Sequence, residues 1–587
     1  MSRRPQKRSA GSGRSHKTDG SWVALAFLAI AVYLPSLGGE FLWDDNSSVT
    51  ESEIIRDAGG WWKAWIAPPR SHPDYFPLTT TSFWVQWRLF GDHPMGYRLV
   101  SVLLHASSVV LLWRLLRELA LPGAWLAAAW MAIHPVNVES VAWIAEQKNL
   151  LCLVFALPAF QSFVRWHRTG APGDYRLALA CHAAALASKA SVVALPLVFT
   201  AYLFWRGTRP GKREVLALAP FLACSLAFGL LVIHFQHQRA VGAWEIAMPS
   251  WPGRIGGAAM AFWFYLGKAL WPFSLATIYP RWPLDPPQAG QILLALATAG
   301  GLAPLWIAPG GRNWLRGLAF GLTTYALLLA PALGLIKMSF MRHSLVADHF
   351  QHLALPALLA TAVATGAGAA TRWPRLRARP QAANAGLAIV GVILATLSWQ
   401  RAALHGSHEA LWQDALAKNP GSAQPYQMLG TIAALRGDTA AAETQFRRAI
   451  ALGSPEASTN LGITLCNAGR FEDALPLLRR GAESGISPGQ SYTQWARALT
   501  ELDRTGEALG VLEAGANRYP ENILLNSAAG ASFVMALQPA KALEFLERCE
   551  RLASNDPQTK LYLAQALEAL GRDREAAEKR AAASHRP

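Results

Sequence analysis

The sequence predicts an all-α protein in two parts. A polytopic membrane helix bundle of about eleven spans covers residues 21–402, and a solenoid of short helix pairs covers 403–587. Three observations carry this. Apolar residues make up 52% of the 587-residue chain and charged residues only 16%, a balance suited to a chain with much of its surface in lipid. Apolar runs of spanning length recur up to about residue 402 and then stop. Beyond them small residues return every 32 to 34 positions.

Residues 1–20 are polar, carry six Lys/Arg and have few apolar side chains, so a disordered cytoplasmic tail is expected. The first apolar run, 21–37, has a poor cleavage pattern and reads as an uncleaved first span. Further runs fall near 97–116, 122–138, 149–165, 176–188, 190–205, 215–235, 290–308, 317–335, 351–370 and 384–402. The run 256–272 is ambiguous, and charge decides it. The short basic loops (Arg114/Arg117, Arg165/Arg168/Arg176, Arg206/Arg209/Lys212/Arg213, Arg312/Arg316 and Arg372/Arg375/Arg377/Arg379) all fall on the cytoplasmic side only if 256–272 does not span. Loop 39–96, with eight Asp/Glu against four Lys/Arg, then lies outside. So do 134–148, 235–255, 336–350 and the C-terminal part. The 24 Trp suit membrane–water interfaces. The net charge of +16 sits in those short loops, which argues for orientation in a membrane and against a nucleic-acid partner. The Ala- and Arg-rich composition suits a bacterium, which makes the membrane the inner membrane and the outside the periplasm. Five Cys, at 152, 181, 224, 466 and 549, have no metal or disulfide spacing and read as small buried hydrophobes.

In the C-terminal part Gly430, Gly462, Ala496, Gly530 and Ala564 are each followed twelve residues later by Ala442, Ala474, Ala508, Ala542 and Ala576. Four further on stand Phe446, Leu478, Leu512 and Leu546. This is the small–small–large pattern of the tetratricopeptide repeat (TPR). Trp412, Ala415 and Pro420 fit the second helix of a degenerate opening repeat. Stacked repeats form a concave surface, so a protein or peptide partner is expected there.

The polar residues of the outer segments are the candidates for chemistry. Asp44-Asp45 follows Phe41-Leu42-Trp43 just outside the first span. A carboxylate there can act as general base towards an acceptor hydroxyl, or hold a divalent cation bridging a phosphate. Otherwise the pair is a helix cap or a solvated loop acid. Glu139 and Lys148 flank the third and fourth runs, where interfacial charges are costly unless paired or used. Lys148 suits a phosphate oxygen, and Glu139 can orient an acceptor or Lys148. Lys189 interrupts two runs and either meets a lipid phosphate or snorkels. Lys337, Arg342, His343, Asp348, His349 and His352 form a cationic cluster suited to cradling a phosphate. The spacing Asp348-His349…His352 also allows a metal, though weakly, and no residue is assigned as a metal ligand.

Taken together, the order Trp43-Asp44-Asp45, Tyr75-x-Pro77-Leu78-Thr79, His134-Pro135-Val136-x-Val138-Glu139, Ala142-Trp143-Ile144-Ala145-Glu146-x-Lys148-Asn149-Leu150, Pro331-x-Leu333-Gly334 and Ala347-Asp348, closed by the repeats, resembles the transmembrane-and-TPR O-mannosyltransferase family and its bacterial relatives. The resemblance implies a GT-C membrane glycosyltransferase fold. It implies a polyprenyl-phosphate sugar as donor, taken from the membrane lipid on the extracytoplasmic leaflet, and a protein Ser/Thr hydroxyl as acceptor. Asp44 or Asp45 would take the acceptor proton, and cationic residues would hold the departing phosphate. The chain departs from the family pattern at Phe76, Asn137, Gln147, His349 and Phe350; basic residues are frequent at the first three positions and Arg-Tyr at the last two. The rival readings are a membrane-anchored TPR scaffold and a transferase acting on a glycan or lipid.

Overall fold

A computed structural model describes residues 20–66, 75–238, 248–307, 313–372, 380–552 and 556–584. The basic tail, and Arg312, Arg375, Arg377 and Arg379 of the orientation loops, lie outside these residues. The described chain is helical throughout, with no strand among the described residues.

All eleven apolar runs expected to span coincide with helices, yet the count of eleven spans is not reached. Six described helices are long and apolar enough to cross a membrane: Pro94–Glu118, Ile144–Thr169, Lys212–Gln236, Ala289–Trp306, Trp314–Ala332 and Pro380–Leu404. The others are shortened by local chemistry. The first run divides into Ser21–Ala31 and Leu34–Leu37 at Pro35. Ala124–Ala132 stops before His134-Pro135, and the chain between Lys189 and Pro196 passes through a 3₁₀ turn at Ala190–Ala194 before Leu195–Trp205. The ambiguous run forms a helix, Trp251–Leu270, that packs beside Ala289–Ile307. It is not among the six.

One large apolar core runs through these helices, centred on Phe163, Phe199 and Phe221, all fully buried. Phe163 stacks on Phe199 with centroids 4.3 Å apart. At one end of the bundle Arg168 pairs with Glu118 (2.5 Å) and Arg213 lies over Trp166, so basic loops gather there. The opposite end collects the segments expected outside. Fully buried Arg98 ties three of them together, donating to the carbonyls of Glu40, Ala142 and His405. Gly39 allows this approach: a Cβ there would lie 2.5 Å from the Arg98 guanidinium and 2.7 Å from the Gly406 backbone.

Beyond Leu404 the helix His408–Lys418 stands alone, and five helix pairs follow, from Ala423–Leu435 with Thr439–Ala451 to Pro557–Ala569 with Asp573–Ser584. The small positions of the repeat are close-packing sites. A Cβ on Gly430 would lie 2.8 Å from the Phe446 ring, and one on Gly462 2.6 Å from Leu478. One on Gly530 would lie 2.4 Å from Leu546. The repeat is thus read directly as contact between its first and third signature residues. The opening helix docks on the membrane part: fully buried Trp412 packs against Trp43 and Ile278, and Lys418 donates to the Leu275 carbonyl at 2.7 Å.

Candidate active site at the outer end of the bundle

The Asp44-Asp45 pair is built on a strained residue. Trp43 has φ of +39°, a conformation that side chains with a Cβ rarely adopt. Packing holds it there. Its indole stacks on Trp143 (5.4 Å, planes 6° apart) and meets the edges of His343 and Trp412. The turn sends the two carboxylates different ways. Asp45 is fully buried; one oxygen accepts from Leu42 N–H (2.8 Å) and the other from Ala145 N–H (2.7 Å). Asp44 is exposed and lies within the field of Arg342. Burial pushes the Asp45 carboxyl up to about 7, against the pull of those two N–H groups and of Arg98.

Ala145 leads into a second group of charges. Glu146 is buried and pairs with Lys148 at 2.9 Å and with Lys189 at 3.4 Å. Asn149 bridges them, donating to Glu146 (2.7 Å) and accepting from Lys189 (2.6 Å). Lys189 also lies over the Phe350 ring. Lys148 and Lys189 are both partly exposed, so the carboxylate beneath them fixes two ammonium groups at the surface of the site.

Glu139 does not meet Lys148. It accepts from His349 Nδ1 at 3.0 Å and from Arg401 at 2.8 Å. Arg401 also reaches Asp348 at 3.3 Å and donates to the Leu275 carbonyl. Tyr279 donates its hydroxyl to Asp348 at 2.8 Å. Burial would raise Glu139, yet the His349 hydrogen bond and the Arg401 charge leave it below its ordinary value. Asp348 goes the other way: burial, with Glu139 beside it, lifts it to about 7 despite Arg401. Asp348, His349 and His352, whose spacing weakly allowed a metal, each answer a different partner; His352 bonds Asn137 at 2.9 Å. Among the described residues no group of three or more His, Cys, Asp or Glu could hold a metal ion. Arg342 and His343 stand apart from this core. Arg342 donates to His343 Nε2 (2.7 Å), and burial with the neighbouring Arg342 and Arg281 lowers the imidazole to about 3, so it accepts as a neutral ring.

The structure therefore brings Asp44, Asp45, Glu139, Lys148, Lys189, Asp348 and His349 to one end, joined through Trp43, Trp143 and Phe340, with Arg342 and His343 on its flank. It also shows roles that the residue pattern did not assign. Glu146 carries the two lysines, and Arg401 joins the last apolar helix to both buried acids. A signal for Arg401 existed: a cation at the outer end of a spanning run runs against the positive-inside rule. The departures from the family pattern also find partners. Gln147 forms a buried neutral network with Gln86 (2.6 Å) and Ser101 (3.0 Å), which would not accept a cation cheaply.

Fold and site together define a multi-pass helical membrane protein that gathers carboxylates, ammonium groups and indoles at one end, beneath a TPR arm. Residues 71–235 match the family model described as dolichyl-phosphate-mannose-protein mannosyltransferase. The chain is similar to a protein O-mannosyl-transferase of Caenorhabditis elegans (30% identity over 150 residues, 23% of this chain and 22% of the relative). It is also similar to relatives of the same designation from Drosophila melanogaster (29% over 204 residues, 32% and 22%) and Homo sapiens (27% over 173 residues, 25% and 23%). The resemblance read from the motifs is thus borne out, while the matched stretch spans only 22–23% of the length of these relatives. Solved structures that align include MamA of Desulfovibrio magneticus RS-1 (18% identity, 27% of this chain and 92% of that one, TM-score 0.24) and Pseudomonas aeruginosa PilF (14%, 29% and 79%, TM-score 0.26).

Proposed function

We propose that the protein is an inverting membrane glycosyltransferase that moves a sugar from a polyprenyl-phosphate donor to a protein Ser/Thr hydroxyl. Asp44 is the general base. It takes the acceptor proton as the hydroxyl oxygen attacks the anomeric carbon; the carbon–oxygen bond to phosphate breaks, and the lipid phosphate leaves with the electron pair. Lys148 and Lys189 neutralise the charge that develops on that phosphate. Asp45 is a positioning residue that fixes the turn under Asp44. Glu139, Asp348 and His349 act through Arg401 as the frame of the site.

The observation that carries this reading is the division of labour within the acidic pair. Both oxygens of Asp45 are committed to backbone N–H groups, and Asp44 is exposed beside Arg342. The match to mannosyltransferases supplies the reaction class, since residues 71–235 include Glu146, Lys148 and Lys189. The reading places the site and the TPR arm on the periplasmic side of a bacterial inner membrane. Support comes from the basic loops gathering at the opposite end of the bundle. The arm would present the acceptor.

The test is sugar transfer by the purified full chain, read by mass spectrometry of acceptor proteins, with Asp44→Asn as the variant. The expected result is loss of transfer with unchanged thermal unfolding. Full transfer by Asp44→Asn would overturn the assignment of the base, and no transfer from any polyprenyl-phosphate sugar by the parent chain would overturn the activity.

A further inference from the structure

A cavity of about 1490 Å³ lies between the outer end of the bundle and the first repeats. It is larger than the roughly 300–1,000 Å³ of a typical small-molecule site, which suits a polymer segment better than a compact ligand. Arg281, Lys337 and Arg342 line its membrane-part wall, and Gln424, Gln427 and Glu456 line its repeat wall. We infer that this junction cavity is a docking channel for an acidic, extended polypeptide segment that leads towards Asp44. The inference rests on the transferase reading only for what happens at the end of the channel.

Charge and geometry argue for that occupant. Arg281 donates to the Met341 and Arg342 carbonyls at 2.5 Å each, which holds the 339–342 turn against the wall. Lys337 makes no ion pair among the described residues. Three cations on the lining, Arg281, Lys337 and Arg342, face two carboxylates, Asp285 and Glu456, so positive charge is in excess, and Asp285 is turned to the Ser250 N–H (3.0 Å) and hydroxyl (2.8 Å). The repeat wall offers side-chain amides, which can donate to and accept from the backbone of an extended chain. Continuity with the site comes through Arg342, which lines the cavity and feels the charge of both Asp44 and Glu456.

The experiment uses the full chain in discs of zwitterionic lipid, without donor. A fluorescent peptide rich in Asp and Ser is titrated beside a counterpart in which Lys replaces Asp. The acidic peptide is expected to bind and the basic one not. Lys337→Glu should weaken the acidic peptide by about ten- to a hundredfold, the worth of one charge-assisted contact. Glu456→Lys should tighten it, a gain that misfolding cannot produce. Equal binding to the parent and both variants would overturn the inference, as would displacement of the peptide by anionic-lipid vesicles, which would assign the cavity to a lipid headgroup. The two readings fail separately. Cavity-dependent binding without sugar transfer sinks the transferase reading alone. Transfer to acidic acceptors that is unchanged in Lys337→Glu sinks the channel alone.

Discussion

One oxygen of Asp45 accepts the backbone N–H of Ala145 at 2.7 Å, joining the first outer loop to a segment one hundred residues away. The bond sets the roles of the two adjacent acids, because it draws one inside and leaves the other out. It also gives Asp45 a structural weight that Asp44 lacks. Asn at position 45 would set an NH₂ group against a backbone N–H, leaving a buried donor unsatisfied at a cost of about 1–3 kcal/mol. Asp45→Asn is therefore expected to lower both transfer and the unfolding temperature, whereas Asp44→Asn lowers transfer alone. Equal unfolding temperatures for the two variants would contradict this division.

Arg401 is the only cation that touches both Glu139 and Asp348 among the described residues. Arg401→Met leaves two buried acids close together without compensation, and about 3–5 kcal/mol of stability should be lost. Adding Glu139→Gln and Asp348→Asn removes the uncompensated charge and should restore much of it. Denaturation of the single and triple variants in the same detergent decides the matter; a triple variant no more stable than the single one would show that the charges are not the cause.

Lys148 and Lys189 share Glu146, so their loss should differ from loss of the base. If they hold the donor phosphate, Lys148→Met and Lys189→Met should each weaken transition-state stabilisation by about 1.5–3 kcal/mol, roughly ten- to a hundredfold in kcat/KM. Lys148→Arg should keep most of it. Steady-state kinetics with varied donor provide the check. An unchanged kcat/KM in both Met variants would remove the lysines from the phosphate site.

The buried acids also predict a pH profile of stability. Asp45 and Asp348 rise from an ordinary 3.8 to about 7 in the folded protein. Between those values the folded chain keeps protons that the unfolded chain releases, so stability falls as pH rises through this window and levels off above it. Glu139 is held below its ordinary 4.5. Its contribution is present above 4.5 and disappears as pH falls through its folded value. Unfolding temperature should thus peak at about pH 4, and Asp348→Asn should flatten the limb between about 4 and 7. A profile that keeps rising to pH 7 would contradict the assignment.

How far the sequence was legible depended on the range of the interactions. The repeats were readable because Gly430 and Phe446 are sixteen residues apart and their contact recurs with a fixed period. The apolar runs predicted helices, six of them long and apolar enough to span, while Pro35 and the 3₁₀ turn after Lys189 shorten others below that length. The outer cluster was readable as a set of candidates. Which acid faces inward was not, because the answer depends on Ala145 N–H and on the positive φ of Trp43. The same holds for Glu139, for which the local sequence offers an acceptor or Lys148: its partners, His349 and Arg401, lie more than two hundred residues away. Arg401 carried a signal, as a cation at the outer end of an apolar run, but its partners Glu139 and Asp348 are far away in sequence.

Trp412 decides whether the arm is a rigid extension of the site. Its side chain is fully buried between Trp43 and Ile278, although it begins the repeats, and the same indole edge supports the strained turn before Asp44. Trp412→Ala should cost about 3–5 kcal/mol from lost burial and the cavity left behind. The loss should be local. Helix His408–Lys418 should exchange its amide hydrogens faster, while the pairs from Pro488 onward, which close on a core of their own, should stay protected. Transfer should fall as well, because Trp43 loses one of the rings that hold its backbone. Hydrogen exchange with mass spectrometry on the full chain reads both parts at once. Faster exchange throughout the arm would show that the repeats depend on the docking for their fold, and unchanged exchange at 408–418 would show that Trp412 does not hold the arm in place.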